Sequence, residues 1–338
     1  MADMFCSKNR GKSLAIAFFL PYLGPALGPI LGGIITELVD WQWVFWVMSI
    51  INGVITVVGV IFIHESYTPA LLRRKAAAQS KAASDSDKAN GIVPPTATIP
   101  SFWSRLRTGL GRPINLLLYR PTIQILSFAL GINFGVYSLL LSTLATLYID
   151  KYNQNKLQAS LHYIAISIGA TIETQIGTRV MDWMYKYLTN RSNRSGTNKP
   201  GIPEYRAPYL VPGLLLVAIG TFWYGWSAEY TLHWAMVDVG VGILAAGTFI
   251  FGQGVIAYQL DAFGDFAASA GAASRFPCYI AGFTFPIFAP KLFEGLGYGW
   301  GNSTLGLAWI VLGFPIPFVL WVWGEKLRGM VWGKKVGA

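Results

Sequence analysis

Two acids inside strongly apolar stretches are the side chains of this chain most able to do chemistry. Glu173 lies in "IAISIGATIETQIG" and Asp238 lies in "HWAMVDVGVGIL". A charged group in such surroundings costs about 3 kcal/mol or more near the centre of an apolar layer, so each acid is a candidate for binding a proton or a cation. The alternative for Glu173 is a side chain that reaches a nearby polar interface, and for Asp238 it is solvation at a helix end.

Two polar pairs have spacings that bring their members to one side of a helix. Asn133 and Tyr137 are four residues apart in "GINFGVYSLL", and Gln253 and Tyr258 have nearly that spacing in "GQGVIAYQL". Residues four apart are neighbours on a helix surface, and pairs of this kind can line a cavity and orient an amphipathic organic molecule. Hydrogen bonding between helices accounts for the same residues and stays open as an alternative.

A third pair, Asp182 and Lys186, has the spacing of a helical salt bridge in "VMDWMYKYLTNR". The pair follows Gly177, and an ordinary ion pair at a helix end accounts for its spacing.

Catalytic and metal-binding patterns are missing from the sequence. The histidines His64, His162 and His233 fall at three different ends of apolar runs, so they cannot gather on one helix face to hold a metal. The sequence contains neither a GxSxG nucleophile motif nor a phosphate-binding P-loop. We therefore predict that the protein is not an enzyme and needs no cofactor, and that an ion gradient supplies any energy it uses.

The elements that carry these residues are long apolar runs. The chain is 53% hydrophobic and only 12% charged, about half of the charged fraction of a soluble domain. A helix needs about 20 apolar residues to cross a bilayer, and these runs are too long for barrel strands. The predicted spans are 13–37, 43–63, 121–148, 159–180, 208–227, 233–257, 272–293 and 303–324. The sequence thus predicts an all-α polytopic membrane protein with about eight helices.

The distribution of basic residues predicts the orientation of these helices. With residues 1–12 in the cytoplasm, the 26 Lys and Arg residues all fall in cytoplasmic segments except Lys151, Lys156 and Lys291. The positive-inside rule favours this orientation, with both termini cytoplasmic. The net charge of +10 is therefore explained by topology and not by nucleic acid binding. The first apolar run is too long for a signal peptide and is interpreted as a retained span.

The stretch "LGPALGPILGG" (23–33) combines glycine and proline, each on a four-residue beat. Glycines four apart form one bare helix face, which lets a second membrane helix approach closely. Each proline removes a backbone hydrogen bond and strains the preceding turn, and neighbouring helices can compensate for this in a membrane. The pattern predicts a close-packing seam on a bent helix.

This stretch resembles the antiporter signature of the major facilitator superfamily, which lies on the fifth helix of its exporters. The residues that match are Gly24, Gly28, Pro29, Gly32 and Gly33. Further segments are similar to the fungal drug:proton antiporter branch of that family, in the same order along the chain. They are "WQWVFWVMSIINGV" (41–54), "PEYRAPYLVPG" (203–213), "AYQLDAFGDFAASAGAASRF" (257–276), "FTFPIFAPKLFEGLGYGWGNS" (283–303) and "PIPFVLWVWGEKLR" (315–328). Cys278 and Ala257 depart from the polar residues that such relatives carry at these positions.

The resemblance implies a major facilitator fold that is incomplete, with helices corresponding to numbers 5 to 12 of twelve. The expected organisation is 1–66 as the remainder of an N-terminal bundle, 67–118 as a cytoplasmic linker, 119–326 as a C-terminal six-helix bundle and 327–338 as a cytoplasmic tail. The linker contains "FWSRLRTGLGRP", either a helix on the membrane surface or a lead-in to the next span.

The expected function is proton-coupled efflux of small amphipathic compounds such as drugs, polyamines or secondary metabolites across the cell membrane. The expected partners are the substrate, the proton gradient and the bilayer. In this interpretation Asn133, Tyr137, Gln253 and Tyr258 line the substrate cavity, Glu173 binds the proton, and Asp182 with Lys186 form the gating loop. The alternative is a shortened membrane protein that transports nothing and acts as a receptor or partner subunit.

Overall fold

The computed structural model describes residues 27–62, 102–194 and 201–330, together with Gly24 and two helical pairs at 71–72 and 75–76. Most of the predicted linker, the last eight residues and the first half of the predicted span 13–37 lie outside these residues. Within them the chain is almost entirely helical, without a β-strand. The predicted all-α class is therefore confirmed.

Eleven α-helices follow one another along the described residues. In order they are α1 Leu27–Leu38, α2 Gln42–Phe62, α3 Phe102–Tyr119, α4 Pro121–Asp150, α5 Lys156–Leu161, α6 Ile164–Ile172, α7 Thr178–Arg194, α8 Leu210–Glu229, α9 Trp234–Phe263, α10 Ala267–Gly313 and α11 Pro315–Gly329. A π-helical turn, Glu173–Gly177, joins α6 to α7, and a 3₁₀ turn, Pro203–Tyr209, precedes α8. Five stretches are long and apolar enough to cross a membrane: Gln42–Phe62, Pro121–Asp150, Pro203–Glu229, Trp234–Phe263 and Ala267–Gly329.

The chain divides into two compact units, one formed by residues 1–37 with 108–338 and the other by residues 38–107. The smaller unit contains α2, a helix of 21 residues in which no residue is buried. Its side chains are almost entirely apolar, so this helix has the surface of one that faces lipid or other helices. The larger unit contains all the candidate site residues.

The predicted span 159–180 is a broken helix. Asn155 starts α5 with a capping box: its side chain accepts from the backbone N–H of Gln158 at 2.7 Å, and the side chain of Gln158 accepts from the N–H of Asn155 at 3.3 Å. The helix is interrupted at residues 162–163. A second interruption is the π turn at Glu173–Gly177, which has one residue more per turn than an α-helix. These two interruptions place His162 and Glu173 at irregular points of the backbone.

The predicted spans 272–293 and 303–324 are joined by a sharp reversal inside α10. Gly297 has φ of 71°, a conformation that costs little only for glycine. Beyond Gly297 the chain folds back on itself. The evidence is that a Cβ atom built on Gly301 would lie 2.7 Å from the ring of Phe293, which precedes the reversal. The two arms of α10 therefore run antiparallel.

Helix ends that the topology predicts on one side of the membrane meet at what we call the Lys151 end, formed by residues 151–155, 229–233 and 297–299. The ammonium of Lys151 lies 3.8 Å from the carboxylate of Glu229 and 4.9 Å from the ring centre of Tyr298. The N–H of Gly299 donates to Glu229 at 3.1 Å. These contacts join the ends of α4 and α8 to the reversal in α10.

The opposite end, which we call the Arg206 end, gathers residues from the other set of predicted loops. Arg206 donates to Asp261 at 2.7 Å and lies 3.6 Å from Asp182. Arg328 pairs with Glu204 at 2.8 Å. Helices α4, α8 and α9 each run from one of these clusters to the other.

Close backbone contact between α8 and α9 forms the centre of the bundle. A Cβ atom on Gly247 would lie 2.5 Å from the backbone nitrogen of Val217, and one on Gly240 would lie 2.6 Å from that of Tyr224. Only glycine permits this approach, which gains dispersion contact along both helices. Trp309 of α10 closes the core by donating its indole N–H to the carbonyl of Leu214 at 3.0 Å.

Candidate functional site

A cavity of about 360 Å³ lies between α4, α9 and the first arm of α10. Three of the four residues predicted to line a substrate cavity, Asn133, Tyr137 and Gln253, do line it. The side-chain amide of Asn133 donates to the carbonyl of Thr248 at 3.1 Å, so it also fulfils the interhelical alternative. Its carbonyl oxygen and the hydroxyl of Tyr137 are buried without a hydrogen-bond partner among the described residues. Both atoms therefore have unused hydrogen-bonding capacity next to the cavity.

Aromatic rings form the apolar wall of this cavity. The rings of Tyr137 and Phe249 meet at 5.4 Å between centres, and those of Phe134 and Tyr279 meet at 6.5 Å. Among the described residues that line the cavity, Arg275 carries the charge and no carboxylate is present. Polar atoms on one side and ring faces on the other suit a small amphipathic organic compound.

Tyr258 does not line this cavity. It is buried at the Arg206 end, where its hydroxyl donates to Glu204 at 3.5 Å. The spacing of five residues from Gln253 turns the side chain away from the face that Gln253 occupies, since side chains of one helix face recur at three and four residues. Tyr258 therefore contacts the ion pair of Glu204 and Arg328 and is not part of the cavity.

Glu173 is buried inside the bundle at the start of the π turn, with 1% of its surface exposed. The hydroxyl of Thr178 lies 3.4 Å from Oε1, and Oε2 has no hydrogen-bond partner among the described residues. The side chain thus does not reach a polar interface, contrary to the alternative drawn from the sequence. A buried ionised carboxylate is costly without a partner, and π turns are frequent at functional sites. This environment suits a carboxyl that takes up a proton or faces a cation.

Asp182 and Lys186, predicted as a gating pair, differ in their surroundings. Lys186 is exposed, whereas Asp182 faces Arg206, which is only 2% exposed and lies over the ring of Tyr185 at 4.6 Å. With Asp261 these residues form a cluster that we call the Arg206 cluster. Tertiary folding therefore pairs the acid with an arginine from a distant loop, which spacing along one helix cannot indicate.

Removing the buried cation of this cluster is expected to destabilise the protein strongly. Arg206→Ala removes the guanidinium that pairs with Asp261 and Asp182, and removal of one member of a buried ion pair costs about 3 to 5 kcal/mol. The measurement is unfolding of the purified protein in detergent. Lys186→Ala serves as the control and should stay within about 0.5 kcal/mol of wild type. Equal stability of both variants would contradict the role assigned to Arg206.

The glycines of the motif on α1 are not equivalent. A Cβ atom built on Gly33 would lie 2.6 Å from Oγ and 3.0 Å from Cβ of Ser160 at the start of the broken helix. At Gly24, Gly28 and Gly32 no described atom lies within 4 Å of such a Cβ. Gly33 is therefore the motif residue at which a close helix contact is visible. The bend predicted from the prolines, of which Pro29 belongs to α1, stays a prediction.

Asp238 belongs to a hydrogen-bonded cluster that was not predicted from the sequence. Its two carboxylate oxygens contact the Tyr148 hydroxyl at 2.7 Å and His162 Nδ1 at 2.8 Å. It is thus partnered by protein groups and not solvated at a helix end. A signal was present in the chain, because both Asp238 and His162 lie near predicted span ends on the same side.

An antiparallel bundle of apolar helices that encloses a small amphipathic cavity, with a buried carboxyl outside the lining of that cavity, defines a polytopic membrane protein of the transporter class. Residues 1–286 match the Major Facilitator Superfamily. The chain belongs to this family, so the predicted family and the incomplete major facilitator fold are confirmed. The family match also assigns the chain to membrane transporters and not to enzymes.

Fungal relatives agree with this assignment. The chain is 35% identical to a protein of Aspergillus flavus named a probable efflux pump, over 97% of this chain and 76% of that protein. It is 35% identical to an MFS transporter of Aspergillus oryzae over 97% of this chain and 64% of that protein. It is 33% identical to an efflux pump of Penicillium aethiopicum over 98% and 63%, respectively. The chain thus spans between 63% and 76% of the length of these relatives.

Proposed function

We propose that this chain is a secondary active transporter that exports small amphipathic organic compounds, such as drugs, polyamines or secondary metabolites, in exchange for protons. The cavity between α4, α9 and α10 carries the proposal, because it combines unpaired polar atoms with aromatic walls. Two of the fungal relatives are named efflux pumps, which supports export as the direction.

Each candidate residue has a separate role in this proposal. Asn133, Tyr137 and Gln253 hold the substrate, while Glu173 takes up and releases the coupling proton. The motif residues Gly24, Gly28, Pro29, Gly32 and Gly33 let α1 pack closely against the opposite half and seal the path. Asp182 acts at the hinge through Arg206, with Lys186 as an exposed neighbour. Alternating access between the two halves then moves the substrate across the membrane.

The proposed location is the cell membrane, with both termini in the cytoplasm. In this orientation the Arg206 end faces the cytoplasm and the Lys151 end faces the exterior. The positive-inside rule supports it, since the basic loops all fall on the Arg206 side. The reverse insertion would carry almost all lysines and arginines to the outside.

The test is transport by the purified chain in proteoliposomes with an imposed pH gradient. The probes are an aromatic carboxylate, a neutral aromatic amide and a polyamine, because Arg275 is the charge in the described lining of the cavity. Uptake that depends on the gradient supports the proposal. A folded, inserted protein that moves none of the probes would contradict it and favour the receptor or partner subunit.

Tyr137→Phe is expected to weaken substrate affinity without affecting folding. The hydroxyl has no partner among the described residues, so its loss leaves no group unpaired in the empty protein. A lost hydrogen bond to substrate costs about 1 kcal/mol, or roughly fivefold in KM. The measurement is the KM of probe uptake, and Ser142→Ala on an exposed part of the same helix is the matched control. An unchanged KM in Tyr137→Phe would exclude the hydroxyl from substrate binding.

A further inference from the structure

His162 has a hydrogen-bond acceptor at each of its two ring nitrogens. Nδ1 lies 2.8 Å from the carboxylate of Asp238, and Nε2 lies 2.9 Å from the side-chain oxygen of Gln154. A neutral imidazole carries one hydrogen and can donate only once, whereas an imidazolium donates from both nitrogens. With the side-chain oxygen of Gln154 facing Nε2, the arrangement is satisfied by the protonated ring, whereas an amide turned by 180° would present its NH₂ group and suit a neutral ring that donates from Nδ1.

The carboxylate of Asp238 contacts two donors, the Tyr148 hydroxyl and the His162 ring. The hydroxyl of Tyr148 donates to Oδ1 at 2.7 Å, and His162 occupies Oδ2. The ring of Tyr148 also stacks on that of His162 at 3.6 Å between centres, with 10° between the planes. The side chains of His162 and Asp238 are 10% and 20% exposed, so the pair is largely removed from water while remaining accessible to protons.

Other titratable groups near the pair have partners of their own. Tyr152 donates to the carbonyl of Leu232 at 2.6 Å, and burial together with the charge of Asp238 raises its pKa. Lys151 is directed to Glu229. His233 accepts from the N–H of Ala235 and contacts the ring of Trp234, whose other neighbour is His162. Among the described residues, Asp238 is the charged group that His162 faces.

The pair joins three separate elements at the Lys151 end. Tyr148 lies on α4, His162 lies between α5 and α6, and Asp238 lies on α9. Histidine is the side chain that ordinarily changes charge between about pH 5 and 8. Loss of the imidazolium proton removes one donated hydrogen bond and the ion pair, and protonation of Asp238 removes the ion pair from the other side.

From this geometry we infer that His162 and Asp238 form a proton-binding site, distinct from Glu173, that holds α4, α6 and α9 together when the imidazolium is present. The ligand is the proton itself. It reaches the pair from an open groove of about 790 Å³ whose polar end His162 and Asp238 line. In the proposed orientation this end senses the external pH, although the site itself does not depend on transport.

The protonation state is tested by nitrogen-15 NMR of the whole chain, labelled at histidine, in lipid nanodiscs between pH 5 and 8. The chain has three histidines, so His64→Gln and His233→Gln assign the His162 signals. We expect both ring nitrogens of His162 to carry hydrogen in wild type, and one of them to lose it in Asp238→Asn under the same conditions. A His162 ring that stays neutral across this range, or whose protonation is the same in Asp238→Asn, overturns the inference.

The coupling to structure is tested by the melting temperature over the same pH range. Wild type is expected to have a melting temperature several degrees lower at pH 8 than at pH 5, and His162→Gln is expected to lose this dependence. His233→Gln is the matched control and keeps the wild-type profile. A profile in His162→Gln that equals that of wild type contradicts a stabilising role for the pair of His162 and Asp238. Both measurements use the protein without substrate, so they can be interpreted even if the transport proposal fails. If His162→Gln does not fold, the NMR measurement on wild type still tests the protonation of His162.

Discussion

Glu173→Gln is expected to abolish uptake driven by a pH gradient while leaving the protein folded and inserted. Glutamine has the shape of a neutral glutamic acid but cannot take up or release a proton. Because Oε2 of Glu173 has no partner among the described residues, the amide replaces no ion pair, and the cost to stability is about that of one hydrogen bond, ~1 kcal/mol. The loss should therefore appear in coupling and not in the amount of protein.

The measurement compares two modes of transport in the same proteoliposomes. Gradient-driven uptake should fall to the level of empty liposomes in Glu173→Gln, whereas exchange of labelled for unlabelled probe, which needs no net proton movement, should persist. Glu294→Gln, at an exposed acid of α10, is the matched control and should transport normally. Gradient-driven uptake at the wild-type rate in Glu173→Gln would remove Glu173 from proton coupling and leave the cavity proposal standing.

Cross-linking Gly33 to Ser160 is expected to arrest transport completely and reversibly. The Cβ positions of the two residues are 3.0 Å apart, and a disulfide needs about 3.5 to 4.5 Å, so a small separation of α1 from α5 accommodates it. In the proposed function the two residues belong to opposite halves, which alternating access would move apart. A covalent link at this contact prevents the halves from separating at the Lys151 end.

The experiment uses Gly33→Cys with Ser160→Cys in a background without Cys6 and Cys278. Oxidation should form the disulfide and stop uptake, and reduction should restore it. Gly24→Cys with Ser160→Cys is the control, because no described atom lies within 4 Å of a Cβ at Gly24. Failure of the disulfide to form contradicts the contact itself. A disulfide that forms without slowing uptake shows that the halves need not part at this point.

The comparison of Asn133 with Tyr258 shows where prediction from spacing works. Asn133 and Tyr137 share a face because they are four residues apart on one continuous helix, and a helix repeats independently of its neighbours. Gln253 faces the same cavity, but Tyr258 is one residue beyond the repeat and points to the Arg206 end. Spacing along a helix therefore predicts a shared face for residues three or four apart, and the prediction fails for residues five apart.

Charged residues were less predictable, since their partners come from distant parts of the chain. Asp182 and Lys186 have the spacing of a local pair, yet Asp182 faces Arg206, and Arg206 also binds Asp261. His162 and Asp238 are 76 residues apart and meet at 2.8 Å. Distances of this kind depend on the helix that each residue follows and on the direction in which that helix runs.

The sequence by itself determined the class of the protein and the approximate limits of the long apolar helices that the structure describes. Length and apolar composition decide these features, because a membrane span must satisfy its backbone internally and needs about 20 apolar residues. The tertiary structure alone decided which polar groups are partnered: it buried Glu173 at a π turn, paired Asp182 with Arg206, and enclosed His162 between Tyr148 and Asp238. Side-chain partners across helices depend on packing and rotation of whole helices, which no local pattern along the chain contains.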